Sequence, residues 1–140
     1  MMNTMSQKCK AVWAVIGLLV AVVPVWAHHA IQAQFDFEKP ITVTGVLVKV
    51  SWVNPHAYFT LDGKEAKDTS GKVQTWQFEM GGTAGLRRAG LSKTGTFKIG
   101  DAYTINGFAA KDGSTLSWLK DLKGPDGKLV TLWYGDPNPQ

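Results

Sequence analysis

Three histidines are the side chains of this sequence best suited to bind a metal. His28 and His29 stand side by side after an apolar run, and His56 follows Asn54 and Pro55. Imidazole is the commonest protein ligand for metals. Taken singly, the histidine pair also fits a soluble chain end, and His56 fits a turn closed by a backbone hydrogen bond. Because none of the three falls in the middle of a predicted strand, their combination indicates a metal site.

The segment ahead of His28 determines which atoms that residue can offer. Two lysines precede an apolar run at residues 11–27, which ends in small Ala27. This order is typical of a secretory signal peptide, and it predicts a periplasmic or secreted protein cleaved after Ala27. The alternative is an uncleaved membrane anchor, but the run is near the lower limit for a spanning helix and Pro24 interrupts it. Contact with the membrane is therefore expected only through the signal peptide before cleavage.

Cleavage after Ala27 would turn His28 into a bidentate chelate. Its free α-amine and its Nδ1 can close a ring around one ion, and a second imidazole then completes a nitrogen-rich T-shaped set. Such sets favour Cu(II), so copper is predicted over zinc. An α-amine is also partly neutral near pH 7 to 8. The predicted donors are three imidazoles and an oxygen from one of two carboxylates: His28, His29, His56, and Glu79 or Asp36.

Short alternating segments must position these side chains. The first strand is predicted at residues 41–52, with a bulge at Gly45 where the phase of its apolar residues changes. Phe59 and Leu61 share one face of the second strand. In the third, Trp76 and Phe78 point inward and Glu79 points the other way. A helix of about two turns follows, with Thr83 as the expected N-cap.

This order of elements predicts an all-β fold. Two further strands and a hairpin return follow the helix, which gives a small OB-fold-like barrel of five to six strands with one short helix between strands three and four. A small β-sandwich is the alternative. The predicted organisation is a signal peptide at residues 1–27, an N-terminal arm at 28–40, the barrel at 41–135 and a tail at 136–140.

Several motifs resemble those of a family of small exported bacterial proteins of unknown function. They are the Ala-His-His start, Asn54-Pro55-His56, Phe78-Glu79-Met80-Gly81 and the Arg87-Arg88 pair, and the likeness runs over residues 27–135. The resemblance implies export and a compact β-barrel. It implies no established activity.

A non-catalytic binding module is the main alternative to a metal protein. OB-folds hold oligonucleotides or oligosaccharides on exposed aromatic and basic side chains. The candidate ligand-binding residues are Trp52, Asn54, Tyr58, Arg87, Arg88, Trp118 and Trp133. Trp52 also fits a core position, and the two arginines also fit an exposed helix surface. The expected ligand is an envelope protein, a glycan or a small molecule.

Composition and missing motifs exclude several other classes. Residues 1–27 hold Lys8 and Lys10, so their removal lowers the formal net charge from +4 to +2. That balance and the predicted export argue against nucleic acid as the ligand. No Gly-x-Ser-x-Gly, P-loop or dinucleotide-binding pattern occurs. The sequence therefore favours a protein without catalytic activity and leaves open an oxygenase built on an N-terminal histidine.

Overall fold

The computed structural model describes residues 31–132, which contain a helical stretch at residues 31–34, six strands and one further short helix. The compact unit that holds the strands begins at Gln34. Among the described residues, no helix is both long and apolar enough to cross a membrane. The elements in chain order are β1 Phe35–Ser51, β2 Tyr58–Glu65, β3 Gln74–Glu79, α1 Thr83–Arg88, β4 Ala102–Ala110, β5 Leu116–Lys123 and β6 Leu129–Thr131.

The strands close into a barrel. The sheet order is β3-β2-β1-β4-β5-β6, with antiparallel pairing throughout, and an additional parallel pairing joins β3 to β5. This last contact completes a ring of five strands, with α1 in the connection between β3 and β4. The predicted all-β, OB-fold-like barrel is therefore confirmed. β6 lies outside the ring and pairs with β5 after a turn at residues 124–127, where the Gly127 N–H donates to the Gly124 carbonyl at 3.0 Å.

The barrel interior is filled by the alternating apolar residues of its strands. Phe59 and Leu61 of β2 and Phe78 of β3 have no measurable exposure, and Trp76 is also buried. The predicted inward faces of these two strands are thus confirmed, because alternation with a period of two places every second side chain on the same face. Residues from β1, β4, β5 and the α1–β4 connection complete this core: Ile41, Val43, Leu47, Leu91, Phe97, Tyr103, Ile105, Leu119 and Leu122.

β1 differs from the sequence prediction at its start. It begins at Phe35, so residues 35–40 of the predicted arm belong to the strand. An irregularity between Asp36 and Pro40 in the pairing with β4 separates this first piece from the rest. Proline cannot donate to a ladder, which is why it occurs at such interruptions.

The bulge predicted at Gly45 is absent there and lies further along β1. The register against β2 shifts between Leu47 and Lys49, and Val46 and Val48 are 46% and 44% exposed rather than inward. Gly45 instead faces Gly63 of β2, where a Cβ would lie 2.4 Å from the Asp62 carbonyl oxygen. The glycine therefore permits two strands to approach closely, a second common use of glycine in sheets.

The predicted N-cap of the helix is also wrong by one residue. Gly82 is the N-cap of α1, without a side-chain capping bond, and Thr83 is the first helical residue. The Thr83 hydroxyl donates instead to Asn54 Oδ1 in the β1–β2 loop, at 2.9 Å. A side chain with a tertiary acceptor in reach does not need to cap its own helix.

Candidate functional site

His56 and Glu79 lie in direct contact on the outer surface of the barrel. Nδ1 of His56 pairs with Oε1 of Glu79. The carboxylate is buried, whereas the side chain of His56 keeps 30% of its exposure. The backbone brings the pair together, because the Met80 N–H donates to the Ala57 carbonyl at 2.8 Å and so extends the β2–β3 ladder to the residue after His56.

Strand pairing fixes Glu79 from both sides. Glu79 is the register partner of Tyr58 on β2 and of Trp118 on β5. Side chains at paired positions share a face, so these three groups lie together outside the barrel. The prediction that Glu79 points away from Phe78 is confirmed, but Glu79 is buried on that outer face rather than solvated.

Trp118 is a structural neighbour of His56 and not an exposed platform. Its side chain is only 4% exposed, which contradicts its prediction as an exposed ligand-binding aromatic. The ring packs edge-on against His56, with centroids 5.6 Å apart at 88°. Phe35 packs on it as well, at 5.8 Å. Phe35 at the start of β1 packs over Trp118 and helps to remove it from solvent.

Phe35 is a residue of the site that the sequence reasoning missed. The sequence Phe35-Asp36-Phe37 alternates as a strand does, and that pattern was the available signal. Phe37 continues the outer aromatic cluster through an edge contact with Phe108, at 5.0 Å. Together these rings cover the outer face of β4 and β5 and connect the start of β1 to the neighbourhood of His56.

Tyr58 lies half-buried beside the carboxylate. Burial raises the pKa of its phenol above 10.0, and the negative charge of Glu79 raises that pKa further. Both effects disfavour the phenolate, because it would be a second negative charge in a poorly solvated position. Tyr58 therefore stays a neutral hydrogen-bonding group at ordinary pH.

The β1–β2 loop is held against the start of α1. Asn54 accepts the hydrogen bond from Thr83, and a Cβ on Gly82 would lie 2.9 Å from the Pro55 carbonyl oxygen. The Asn54–Pro55 peptide bond is cis. Asn54 is thus a link between two elements as well as an exposed side chain, and it helps to hold His56 in the loop that precedes β2.

The remaining predicted binding residues are dispersed. Arg87 and Arg88 are exposed on the last turn of α1, and the carboxylate of Glu79 pairs with His56. Trp52 is half-buried and packs against the core. Trp133 lies outside the described residues.

The predicted metal ligands are tested only in part. His28 and His29 lie outside the described residues, and the residues described contain no group of three or more His, Cys, Asp or Glu side chains that could hold an ion. Asp36 is engaged elsewhere, since its carboxylate accepts from the Glu38 N–H and pairs with Lys39 at 3.3 Å. His56 and Glu79 are the two predicted donors that the fold brings together.

This arrangement occupies the face that OB-folds use for binding, namely strands two and three with the loops on either side of them. The site presents the imidazole of His56. The buried carboxylate of Glu79 holds one edge of this ring, and the indole of Trp118 packs beside it. Among residues 31–132, Nε2 of His56 has no hydrogen-bond partner. An oriented, partly exposed imidazole can bind a metal ion or a polar ligand.

Comparison with known families identifies the family of this chain, but that family has no assigned activity. The model of a family of unknown function, DUF6152, matches residues 15–118. The match covers most of the chain, so the chain belongs to that family, and the expected membership of an uncharacterised family is confirmed. No curated protein matches the chain. The matched range includes His56, Tyr58, Glu79 and Trp118.

Proposed function

We propose that this member of a family of unknown function is an exported protein that binds Cu(II) through an N-terminal His28 and through His56. The contact of His56 with Glu79 carries the proposal. A metal-binding histidine typically gives its second ring nitrogen to a carboxylate, which fixes the tautomer and the ring orientation. His56 has that partner in a buried Glu79, and its side chain remains 30% exposed.

The start of β1 supports a role for His28 in the same site. Phe35 packs on Trp118, and Trp118 packs on His56, so the first residue of β1 belongs to the surroundings of His56. Residues 31–34 are helical, so the segment from 28 to 34 spans about 16 Å when residues 28–30 are extended. In the processed protein we expect the N-terminal chelate to bind the same ion as His56.

The donor set explains the choice of metal. The α-amine and Nδ1 of His28 with one nitrogen of His56 give three nitrogen ligands, and His29 supplies a further imidazole next to the chelate. Divalent copper binds such nitrogen sets more tightly than zinc does. The protein therefore acts as a copper-binding protein of the periplasm or the exterior, with no catalytic step assigned to it.

The decisive experiment uses protein that has been exported by its own signal. Intact mass should show that it begins at His28, and titration should show one Cu(II) per chain. His56→Ala should weaken Cu(II) binding by more than about tenfold, since it removes a ligand rather than a supporting group. Binding should also quench the fluorescence of Trp118, whose indole touches the imidazole, and Trp118→Phe should reduce that quenching.

A matched variant tests the role of the free amine. One alanine added before His28 leaves every side chain in place and converts the amine into a peptide bond. We expect this extended protein to bind Cu(II) at least about tenfold more weakly. Equal affinity in the extended protein, or a mature chain that begins elsewhere, contradicts the proposal.

A non-catalytic binding module remains the second candidate because Asn54 and Tyr58 lie on the face that OB-folds use. Its partner would be an envelope protein, a glycan or a small ligand. With Trp118 buried, Tyr58 is the best aromatic contact left in the described part of the chain. Tyr58→Ala should then abolish binding to a glycan or envelope fraction without changing Cu(II) affinity.

A further inference from the structure

The two nitrogens of the His56 ring face different surroundings. Nδ1 is engaged by Glu79. Nε2 lies on the opposite edge of the imidazole, and no residue of the described range hydrogen-bonds to it. Because an imidazole is rigid, a group that holds one nitrogen also sets the direction in which the other nitrogen points.

We infer that Glu79 is a positioning residue of the proposed copper site, rather than one of its ligands, and that Nε2 of His56 is the coordinating nitrogen. The inference rests on the proposed function. An ion bound about 2 Å from Nε2 lies beyond the far edge of the ring from Glu79. A single ion therefore cannot take both groups as ligands while His56 and Glu79 stay in contact.

The surroundings of Glu79 restrict its movement toward an ion. Its backbone is paired with Tyr58 on one side and with Trp118 on the other. Its carboxylate is buried between those strands, where an ionised group needs a hydrogen-bonding partner to offset its desolvation. His56 supplies that partner, so moving Glu79 to the metal would leave the carboxylate without it.

The neighbouring indole restricts the ring as well. Trp118 makes a T-shaped contact with His56, with ring centroids 5.6 Å apart, so the indole occupies the space on one side of the imidazole. The carboxylate sets the tautomer and the indole limits the ring orientation. This preorganisation is the contribution that a supporting carboxylate makes to a metal site, and its loss typically lowers metal affinity by about 10-fold to 100-fold.

The test compares two substitutions of Glu79 with a matched control in the exported protein. Glu79→Gln keeps the size and an acceptor oxygen, Glu79→Ala removes the group, and Glu65→Gln makes the same change at the far end of β2. Cu(II) affinity is measured by competition titration. Continuous-wave EPR reports the ligands bound to copper, and pulsed EPR reports the remote imidazole nitrogens. Thermal unfolding of each metal-free variant checks that the barrel is folded.

For a positioning role we expect an affinity loss of about 10-fold to 100-fold in Glu79→Ala and a smaller loss in Glu79→Gln. The continuous-wave spectrum should stay unchanged in both, because no ligand is removed. The remote-nitrogen signal should change, because the partner of Nδ1 has changed, and Glu65→Gln should match the parent protein in every measurement.

Two results overturn the inference without touching the proposed function. One is a changed continuous-wave spectrum in both Glu79 variants, which would make Glu79 a ligand. The other is unchanged affinity together with an unchanged remote-nitrogen signal. Failure of the proposed function looks different, because His56→Ala would then bind Cu(II) as the parent does. If Glu79→Ala does not fold, the spectra of Glu79→Gln still decide between the two roles.

Discussion

The residues of the site were predictable as types, but their partners were not. His56 follows Pro55 in the turn after the first predicted strand, and Glu79 alternates with Phe78, so both were identifiable as candidates from the sequence. Their contact depends on the register of β2 against β3. The register depends on how two strands pair, so the sequence of one strand alone does not determine it.

Tyr58 provides a test of the electrostatics of the site. The pKa of its phenol should lie above 10.0. Ultraviolet pH titrations of the parent and of Tyr58→Phe measure this pKa by their difference. Glu79→Gln should lower this pKa, but not fully to 10.0, because burial is the larger cause and remains. A pKa for Tyr58 that does not change in Glu79→Gln would show that the carboxylate is too far away or too well screened to act on it.

The same shift has a consequence for stability. In the folded chain the phenol keeps its proton at pH values where the unfolded chain has lost it, so the unfolded state is favoured as pH rises. The contribution of Tyr58 to the free energy of unfolding is therefore complete below pH 10 and is lost as the pH rises through the folded pKa. Tyr58→Phe should lack this decline in urea unfolding.

At the scale of elements, glycine was the least predictable residue. Gly45 was interpreted as the position of a bulge, but its function is contact between β1 and β2. A side chain there would overlap the Asp62 carbonyl and the Gly63 Cα, at 2.4 and 2.5 Å. The alternation of apolar residues indicates which side chains face the core, but it does not indicate the distance between neighbouring strands. The close approach at Gly45 was therefore not predictable from that pattern.

Two glycine substitutions with opposite expected effects test this assignment. Gly45→Ala should lower the free energy of unfolding by about 2–3 kcal/mol, because backbone atoms of β2 would have to move. Gly85→Ala is the control: it lies in α1 with nothing within 4 Å of its Cβ, so it should raise stability by about 0.5–1 kcal/mol. Urea unfolding measures both. A tolerated alanine at position 45 would contradict the close approach of the strands.

Ser117 offers a second test at the level of one strand. It is fully buried in β5, and its hydroxyl has no hydrogen-bond partner among the described residues. A desolvated hydroxyl without a partner is costly, and alanine removes it with little loss of volume. Ser117→Ala should therefore raise the free energy of unfolding by about 1 kcal/mol. A destabilised variant would indicate that the hydroxyl makes a hydrogen bond in solution.

At the scale of the molecule, the sequence predicted the fold class but not the strand pairing that closes the barrel. The order of the elements, with a long bent first strand and a short helix between strands three and four, favoured an OB-fold over a sandwich. The parallel pairing of β3 with β5 closes the ring, and it joins residues such as Phe78 and Ser117 across many intervening positions. Such a long-range contact follows from packing the whole core, which local patterns do not describe.

The closed ring also predicts how stability is distributed. β1 pairs with β4 along its first part and with β2 along its second, and residues 43–46 are paired on both sides, whereas β6 has three residues and pairs only with β5 within the described part of the chain. Leu129 at its start is exposed. Opening β6 therefore breaks few contacts and leaves the five-stranded ring intact. We expect the free energy of this local opening to be low.

Hydrogen exchange under native conditions measures this difference. Amides of β4 should exchange only through global unfolding, and amides of β6 should exchange at least about a hundredfold faster by local opening. Gly45→Ala should accelerate exchange in β4, because it destabilises the ring, and should change β6 much less. Equal protection of β6 and β4 would instead make the hairpin part of the cooperative unit. The site at His56 and Glu79 contacts β5 at Trp118, whereas β6 pairs with β5 only at residues 121–123, so the site should keep its geometry while β6 opens.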